Sequence, residues 1–455
     1  MRDLVLLLAA LAGIVPAFAY PYAGLLAWIW YAIMVPQEGA YGFSRSLPLN
    51  FIIAATTALA WLISRNERKF PGFSATLVLV VVFLAWITFN SFFAPFPAWS
   101  WPYWDRTWKI YASGLLAMII TTNRVRFQAL IWVAVLSLSY WGVRGGVFTL
   151  LTGGQFHVYG PPNSQIGDNN DLSLAIVSML PLLYYLRLHT TSSLMRSAIA
   201  AALGFNLLTV LGSYSRGDFV ALSVLAVAAW LRTKNKLIYP LAAVIVLVPL
   251  INFMPQSFFT RMDTISNYQE DDSFQGRVMA WRVAYRVAVD DFPFGAGFYA
   301  PQLSPIFNHY FPGANDHAAH SIYFQVLGEH GFIGLGIYLL MIASAFLNLR
   351  SVIRMTTKSP ELAWANDLAR MMQLSMIAFC VGGAAVSQAY YDLFTLNICL
   401  SAALREHTRK ALAPTRGRQA AQARQIAVSR PYAPAVKYGP GADAGRSMTR
   451  EDPIT

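Results

Sequence analysis

The chain has 455 residues, of which 56% are hydrophobic and only 12% are charged. Soluble globular proteins carry about 25% charged residues, so this composition excludes a soluble domain and favours a polytopic helical membrane protein. The apolar stretches are too continuous for a β-barrel, whose strands alternate over roughly 10 residues. The formal net charge of +12 comes from basic residues in short polar loops and in the tail, as the positive-inside rule predicts. No nucleic-acid partner is therefore expected.

The predicted elements are apolar stretches long enough to cross about 30 Å of hydrocarbon. They predict an all-α transmembrane bundle of about 12 spans, at residues 4–34, 49–64, 73–93, 107–122, 127–149, 169–187, 195–213, 217–232, 237–254, 319–346, 364–384 and 386–404. The first span is long and is predicted to break at Pro16 and Pro21. The N-terminus also resembles a signal peptide, but the apolar run resumes at Tyr22, which favours a retained span.

The basic loops predict the orientation of the bundle. If the spans alternate, five groups of basic residues fall on one side of the membrane: Arg65, Arg68 and Lys69; Arg124 and Arg126; Arg187 and Arg196; Arg232, Lys234 and Lys236; and Arg350, Arg354 and Lys358. Such loops face the cytoplasm. The expected location is the bacterial inner membrane, with both termini in the cytoplasm and one large loop, residues 255–319, in the periplasm.

Three regions are expected along the chain. Residues 1–105 form an N-terminal transmembrane region, and residues 106–405 form the core that includes the 255–319 loop. Residues 406–455 form a tail with nine Lys or Arg against four Asp or Glu. This tail is predicted to be disordered and cytoplasmic, where it can contact anionic membrane lipid.

The 255–319 loop is expected to carry helices. Its apolar residues recur at helical spacing, which predicts an amphipathic helix: Phe274, Val278, Trp281, Tyr285 and Ala288.

Arg216 is the first candidate functional residue. The segment from Ser213 to Asp218 is a short polar break between two apolar stretches, so Arg216 is expected near the external surface. One interpretation is that Arg216 reaches the interface or pairs with Asp218. The other is an anion clamp, because a guanidinium binds phosphate oxygens in a bidentate manner.

Arg277 and His320 are the other two candidates. Arg277 lies one helical turn before Trp281, although an external arginine is often only solvated. His320 follows Asp316 and His317 at the predicted start of a helix. A histidine near neutral pH can accept a proton from a hydroxyl. Two external arginines and a histidine suggest chemistry at a phosphate ester or pyrophosphate, and no metal-ligand set or other cofactor is expected.

The order of these motifs resembles the O-antigen ligase/polymerase family of bacterial membrane glycosyltransferases. The resemblance covers roughly residues 110–405, through Asn170-Asp171, Ser215-Arg216-Gly217, Gly276-Arg277 with Trp281, and the sequence from His320 to Gly334. Ser321 and His330 depart from the family pattern. The N-terminus is similar to the O-glycosylation ligases associated with exosortase A systems, which are linked to exopolysaccharide production.

The resemblance implies an inverting, metal-independent transfer of a glycan from an undecaprenyl-pyrophosphate carrier to a hydroxyl of a lipid or protein acceptor, in the periplasm. Arg216 and Arg277 would bind the pyrophosphate and His320 would activate the hydroxyl. Asn170, His317, Glu329 and Trp281 are candidate supporting residues. Three alternatives remain: a polymerase that uses the same donor, a transporter of lipid-linked sugar, and a structural subunit of an export complex.

Overall fold

The computed structural model describes residues 2–65, 67, 72, 74–233, 236–237, 241, 244–245, 248–249, 251–263 and 272–428. All regular elements in this part of the chain are helices, which agrees with the predicted all-α class. Residues Met1–Arg409 form one compact unit and Lys410–Thr455 form a second. The predicted boundary at residue 105 falls inside a helix.

The helices, numbered here in chain order over the described residues, are α1 (Arg2–Ala19), α2 (Pro21–Met34), α3 (Leu49–Ile63), α4 (Ala75–Phe92), α5 (Pro97–Ile120), α6 (Arg124–Leu151), α7 (Asn169–Leu188), α8 (Ser193–Gly212), α9 (Arg216–Arg232), α10 (Gln256–Asp263), α11 (Asp272–Asp290), α12 (Ser304–Tyr310), α13 (Ile322–Thr356), α14 (Ala363–Gly382) and α15 (Asp392–Val428). The helix predicted from residue 274 onward is confirmed as α11. Its buried face is formed mainly by Ala280, Val283 and Val287, whereas Tyr285 of the predicted apolar face is 53% exposed.

Seven of the described helical segments are long and apolar enough to cross a membrane. They are α1, α4, α6, α7, α8, α13 and the segment Pro360–Ala385, which contains α14. The helices α2 and α3 are apolar but shorter. The predicted count of about 12 spans is therefore not confirmed, and eight of the 18 residues of the span predicted at 237–254 lie outside the described residues. The seven segments indicate an integral membrane protein.

Polar residues define where several helices begin. The side chains of Asn123, Asp168 and Ser215 accept hydrogen bonds from the backbone N–H groups of Arg126, Asn170 and Asp218, respectively. Such N-caps satisfy N–H groups that have no partner within the helix. The polar interruptions in the sequence thus set the boundaries between apolar helices.

The stretch 4–34, counted above as one broken span, consists of two helices, because α1 and α2 fold back on each other as a hairpin. The chain turns at Tyr20, while Pro16 lies inside α1. A Cβ atom at Gly13 would lie 2.4 Å from the Cβ atom of Ala27, so the two backbones approach closely. The N-terminal Asp3 accepts a hydrogen bond of 2.6 Å from the Ser44 hydroxyl.

The hairpin reverses the expected direction of the N-terminus. The residues that follow α2 line a cavity together with Gln165 and Asp392. We call the end of the bundle that holds this cavity the site end. At the other end, the basic end, Arg126 pairs with Glu67 and the His407 ring contacts the Thr122 carbonyl. Asp3 thus lies toward the site end and His407 at the basic end. Asp3 and His407, which the predicted spans place on the same side, therefore lie at opposite ends of the bundle.

The helix predicted from residue 319 begins later and is interrupted. It starts at Ile322, and Gly331 breaks it with φ 68° and ψ −173°. A Cβ atom at Gly331 would lie 2.6 Å from the carbonyl oxygens of Pro293 and Phe294, so a side chain has no room there. Two backbone carbonyls at the break accept hydrogen bonds from side chains of α4. Trp86 Nε1 donates to His330 O at 2.9 Å, and Asn90 Nδ2 donates to Glu329 O at 2.6 Å.

The predicted disorder does not begin at residue 406. The helix α15 starts at Asp392 and continues to Val428. This extension is rich in Ala, Arg and Gln, which have high helix propensity. Residues 429–455 of the predicted tail lie outside the described residues.

Candidate functional site

The starts of α7 and α9 meet at the site end. Asn169 Nδ2 donates a hydrogen bond of 2.7 Å to the carbonyl of Ser213, which precedes α9. The Ser215 hydroxyl donates to Asp218 Oδ2 at 2.6 Å, and Asp218 is fully buried. These bonds fix the turn in which Arg216 occupies the first position of α9.

Arg277 on α11 faces this turn. It interacts electrostatically with Asp218 and with His320, so the structure brings α9, α11 and the residues before α13 to one place. Asp168, the cap of α7, acts on the same two groups. The suggested pairing of Arg216 with Asp218 stays a prediction.

The helix α11 also positions the segment that carries the histidines. Trp281 Nε1 donates a hydrogen bond of 2.7 Å to the Ala319 carbonyl, and the Trp281 ring stacks on Phe324 at 5.1 Å. The His317 ring lies against Gly276, where a Cβ atom would come within 2.9 Å of the ring. Gly276 therefore allows His317 to pack directly beside Arg277.

His320 adopts a left-handed backbone conformation with φ 42° and precedes the N-cap of α13. Such a conformation is uncommon for a residue with a side chain and is often found at functional sites. Burial is the largest cause that lowers the pKa of His320, and the charge of Arg277 and the neighbouring His317 lower it further, while Asp168 opposes them. His320 is therefore neutral near pH 7 and can accept a proton.

Glu329 is held by hydrogen bonds from two tyrosines. Its carboxylate accepts hydrogen bonds from the Tyr299 N–H at 3.0 Å and from the Tyr390 hydroxyl at 2.6 Å. Glu329, His317 and Ala319 line a cavity of about 160 Å³. Glu329 thus holds the chain around Tyr299 at the wall of this cavity.

The two residues that depart from the family pattern, Ser321 and His330, are both buried. His330 is completely buried, where its Nδ1 lies 3.0 Å from Asn90 Nδ2 and its ring contacts Phe298 at 4.4 Å. Ser321 is buried as the N-cap residue of α13.

Asn170, a candidate supporting residue, donates through its side chain to Asp168 Oδ1 at 2.9 Å. Its amide thus supports the start of α7.

Arg106 is a charged residue of this end that the sequence interpretation missed. It interacts electrostatically with Asp392 and Asp171. With its amide turned so that the oxygen faces the guanidinium, Gln165 accepts from Arg106 at 2.9 and 3.0 Å. Tyr103, one turn earlier on α5, lines the 160 Å³ cavity. The available signal was the i, i+3 spacing of Tyr103 and Arg106, which places both on one helix face.

The site carries a mixture of charges. Asp171 interacts with Asp168, Asp218 and Arg106, so three acids and one guanidinium group lie near one another where α7 and α9 begin. Among the residues described, no group of three or more His, Cys, Asp or Glu side chains is arranged to hold a metal ion. The arrangement combines a neutral base with cationic groups suited to an anionic ligand.

Comparisons with known families fit this geometry. Residues 199–339 match the family described as O-antigen ligase, a range that includes Arg216, Arg277 and His320. The chain carries an O-antigen ligase domain. Residues 1–191 match a family of unknown function (DUF5935), and this range includes Asp168 and Arg106. A comparison with curated proteins gives no match. The ligase domain, together with the apolar helices, indicates a membrane enzyme of the glycosyltransferase type.

Proposed function

We propose that the protein transfers a glycan from an undecaprenyl-pyrophosphate carrier to an acceptor hydroxyl at the site end of the bundle. The observation that carries the proposal is the electrostatic interaction of His320 with Arg277, next to Ala319 of the 160 Å³ cavity and inside an O-antigen ligase domain. A neutral histidine supplies a base and the arginine supplies a counter-charge for a phosphate oxygen.

In the proposed reaction Arg216 and Arg277 bind the pyrophosphate of the donor. The acceptor hydroxyl attacks the anomeric carbon from the face opposite the pyrophosphate, and His320 takes the hydroxyl proton. The bond between the acceptor oxygen and the anomeric carbon forms as the bond between that carbon and the pyrophosphate oxygen breaks. The electron pair of the broken bond stays on the pyrophosphate oxygen. The two guanidinium groups stabilise the charge that develops there. A single displacement of this kind inverts the anomeric carbon and needs no metal ion or other cofactor.

Each remaining site residue has a proposed supporting role. Trp281 fixes Ala319 beside His320, and His317 helps to keep the pKa of His320 low. Glu329 holds the cavity wall through Tyr299, and Asn170 supports the Asp168 cap.

The proposed orientation places the basic end in the cytoplasm and the site end in the periplasm, in the bacterial inner membrane. The arginines at the basic end support this orientation through the positive-inside rule. With the α1–α2 hairpin, Asp3 would then face the periplasm and His407 the cytoplasm. The 255–319 loop would be periplasmic. The link to exosortase A systems and to exopolysaccharide production stays a prediction.

The test is reconstitution of the purified protein in liposomes with a lipid-linked glycan and with candidate lipid and protein acceptors. We expect a glycan on a new acceptor and free carrier pyrophosphate. A longer glycan that stays on the carrier would identify a polymerase instead. Movement of the donor across the bilayer without a new bond would identify a transporter. The absence of both transfer and movement would leave a structural role.

A further inference from the structure

An apolar groove lies far from the site, at the basic end. It has a volume of about 700 Å³ and runs between α7, α8, α9 and α14. Leu180, Leu225 and Leu374 form its floor and are each at most 7% exposed. Trp230 lies at its rim and is 38% exposed. A groove with this lining suits a hydrocarbon chain better than a polar ligand.

Two arginines lie at one end of the same groove. Arg232 Nη1 donates a hydrogen bond of 3.3 Å to the Arg370 carbonyl, and Arg370 Nε donates to Asn366 Oδ1 at 2.7 Å. Arg370 is the only charged residue, among those described, that acts appreciably on Arg232, and the two like charges repel. An anion placed against both guanidinium groups would relieve this repulsion.

The spacing of these residues fits one amphipathic molecule. Leu374 follows Arg370 by four residues, and Leu225 precedes Arg232 by seven, so the floor extends about 10 Å from the arginines. One leaflet of hydrocarbon is about 15 Å thick. Trp230 lies next to the arginines, as aromatic residues do at membrane–water interfaces. The groove therefore has a charged end at headgroup level and an apolar end in the membrane.

We propose that this groove binds one anionic phospholipid, with its phosphate on Arg232 and Arg370 and an acyl chain over Leu225 and Leu374. Basic pockets between transmembrane helices commonly bind such headgroups. The site is separate from the candidate active site. Arg216 and Arg232 are sixteen residues apart on α9, which corresponds to about 24 Å along the helix. The proposal is independent of the proposed glycan transfer.

The first experiment tests the headgroup. The purified full-length chain is titrated with phosphatidylglycerol or phosphatidylcholine in detergent, and bound lipid is counted by native mass spectrometry. We expect tighter binding of phosphatidylglycerol. The double variant Arg232→Gln and Arg370→Gln should weaken it by about tenfold or more. The matched control, Arg350→Gln with Arg354→Gln, removes two exposed charges on α13 and should bind as the unchanged protein does.

The proposal is overturned if the Arg232 and Arg370 variant keeps its preference for phosphatidylglycerol, or if both lipids bind equally. Because Arg232 is exposed, the single variant Arg232→Gln gives a second reading if the double variant is unstable. Undecaprenyl phosphate is included as a competitor. If it displaces phosphatidylglycerol at equal concentration, the occupant is a polyprenyl phosphate and the phospholipid assignment is wrong.

The second experiment tests the acyl chain. Ala229 is exposed and lines the groove, so Ala229→Trp fills the groove without changing either arginine. We expect this variant to weaken phosphatidylglycerol binding at least several-fold. Val220→Trp is the control, because Val220 is exposed on the same helix outside the groove. Unchanged binding by Ala229→Trp would show that the acyl chain does not occupy the groove.

Discussion

The two ends of the helix bundle both carry arginines, but in different surroundings. At the site end, Arg277 acts on Asp218 and His320, and Arg106 acts on Asp392 and Asp171. At the basic end, Arg126 pairs with Glu67 at 2.7 Å, and both side chains remain 22% exposed. The surroundings of an arginine, and not its mere presence at a helix end, therefore distinguish a candidate ligand site from an orientation signal.

The largest expected effect is at His320. His320→Ala removes the proposed base, so glycan transfer should fall by about 10²- to 10⁴-fold while membrane insertion stays intact. The measurement is the transfer rate in liposomes at equal protein content. His309→Ala is the control, because His309 is exposed on α12. Transfer at the original rate by His320→Ala would remove His320 from the mechanism.

The next effect concerns the shape of the cation. Arg277→Lys and Arg216→Lys keep a positive charge but lose the planar fork, and each should lower transfer by about tenfold to a hundredfold. Arg282→Lys on the exposed face of α11 is the matched control and should leave the rate unchanged. If all three lysine variants behave alike, charge alone would explain the site arginines and the contrast between the two ends would fail.

A smaller effect is expected on the pH profile. Transfer needs neutral His320, so the rate should fall as the pH drops through the lowered pKa of His320. Asp168→Asn removes a charge that raises this pKa and should move the acidic limb to lower pH. Arg277→Gln removes a charge that lowers it and should move the limb to higher pH, in addition to reducing the rate. Shifts in the same direction would contradict the electrostatic assignment.

The smallest effect is expected at the basic end. Glu67→Gln breaks a partly exposed ion pair with Arg126, which contributes at most about 1 kcal/mol to the free energy of unfolding. Thermal unfolding in detergent should shift slightly, and the transfer rate should not change. A large loss of transfer on this substitution would mean that the two ends are coupled.

The sequence predicted the helical class and the helix α11, because apolar runs and helical periodicity are local properties. The O-antigen ligase resemblance came from the order of short motifs and not from periodicity. The roles of Arg216, Arg277 and His320 stay predictions that the experiments above test. Sequence alone did not predict the hairpin of α1 and α2. An apolar stretch from residue 4 to residue 34 is compatible with one long helix or with two short ones, and only packing between Gly13 and Ala27 selects the hairpin.

Arg106 and the break at Gly331 could not be predicted for a related reason. Arg106 lies at the boundary of an apolar stretch, where arginines are common, and its interactions with Asp171 and Asp392 depend on distant segments. A glycine inside an apolar run usually continues the helix. At Gly331 the carbonyls of Pro293 and Phe294 occupy the space that a side chain would need, and this contact joins segments far apart in the chain.

The break at Gly331 has a consequence for protein engineering. The short helix that follows His320 ends in carbonyls that are bound by Trp86 and Asn90 of α4, so part of its anchorage comes from the N-terminal region. A chimaera that transplants only residues 199–339 into a relative would take the indole donor from the His330 carbonyl and leave the Glu329 carbonyl with only the Gly297 N–H, unless the new host supplies a matching indole and amide. Exchange of specificity between such enzymes should therefore move α4 together with the ligase domain.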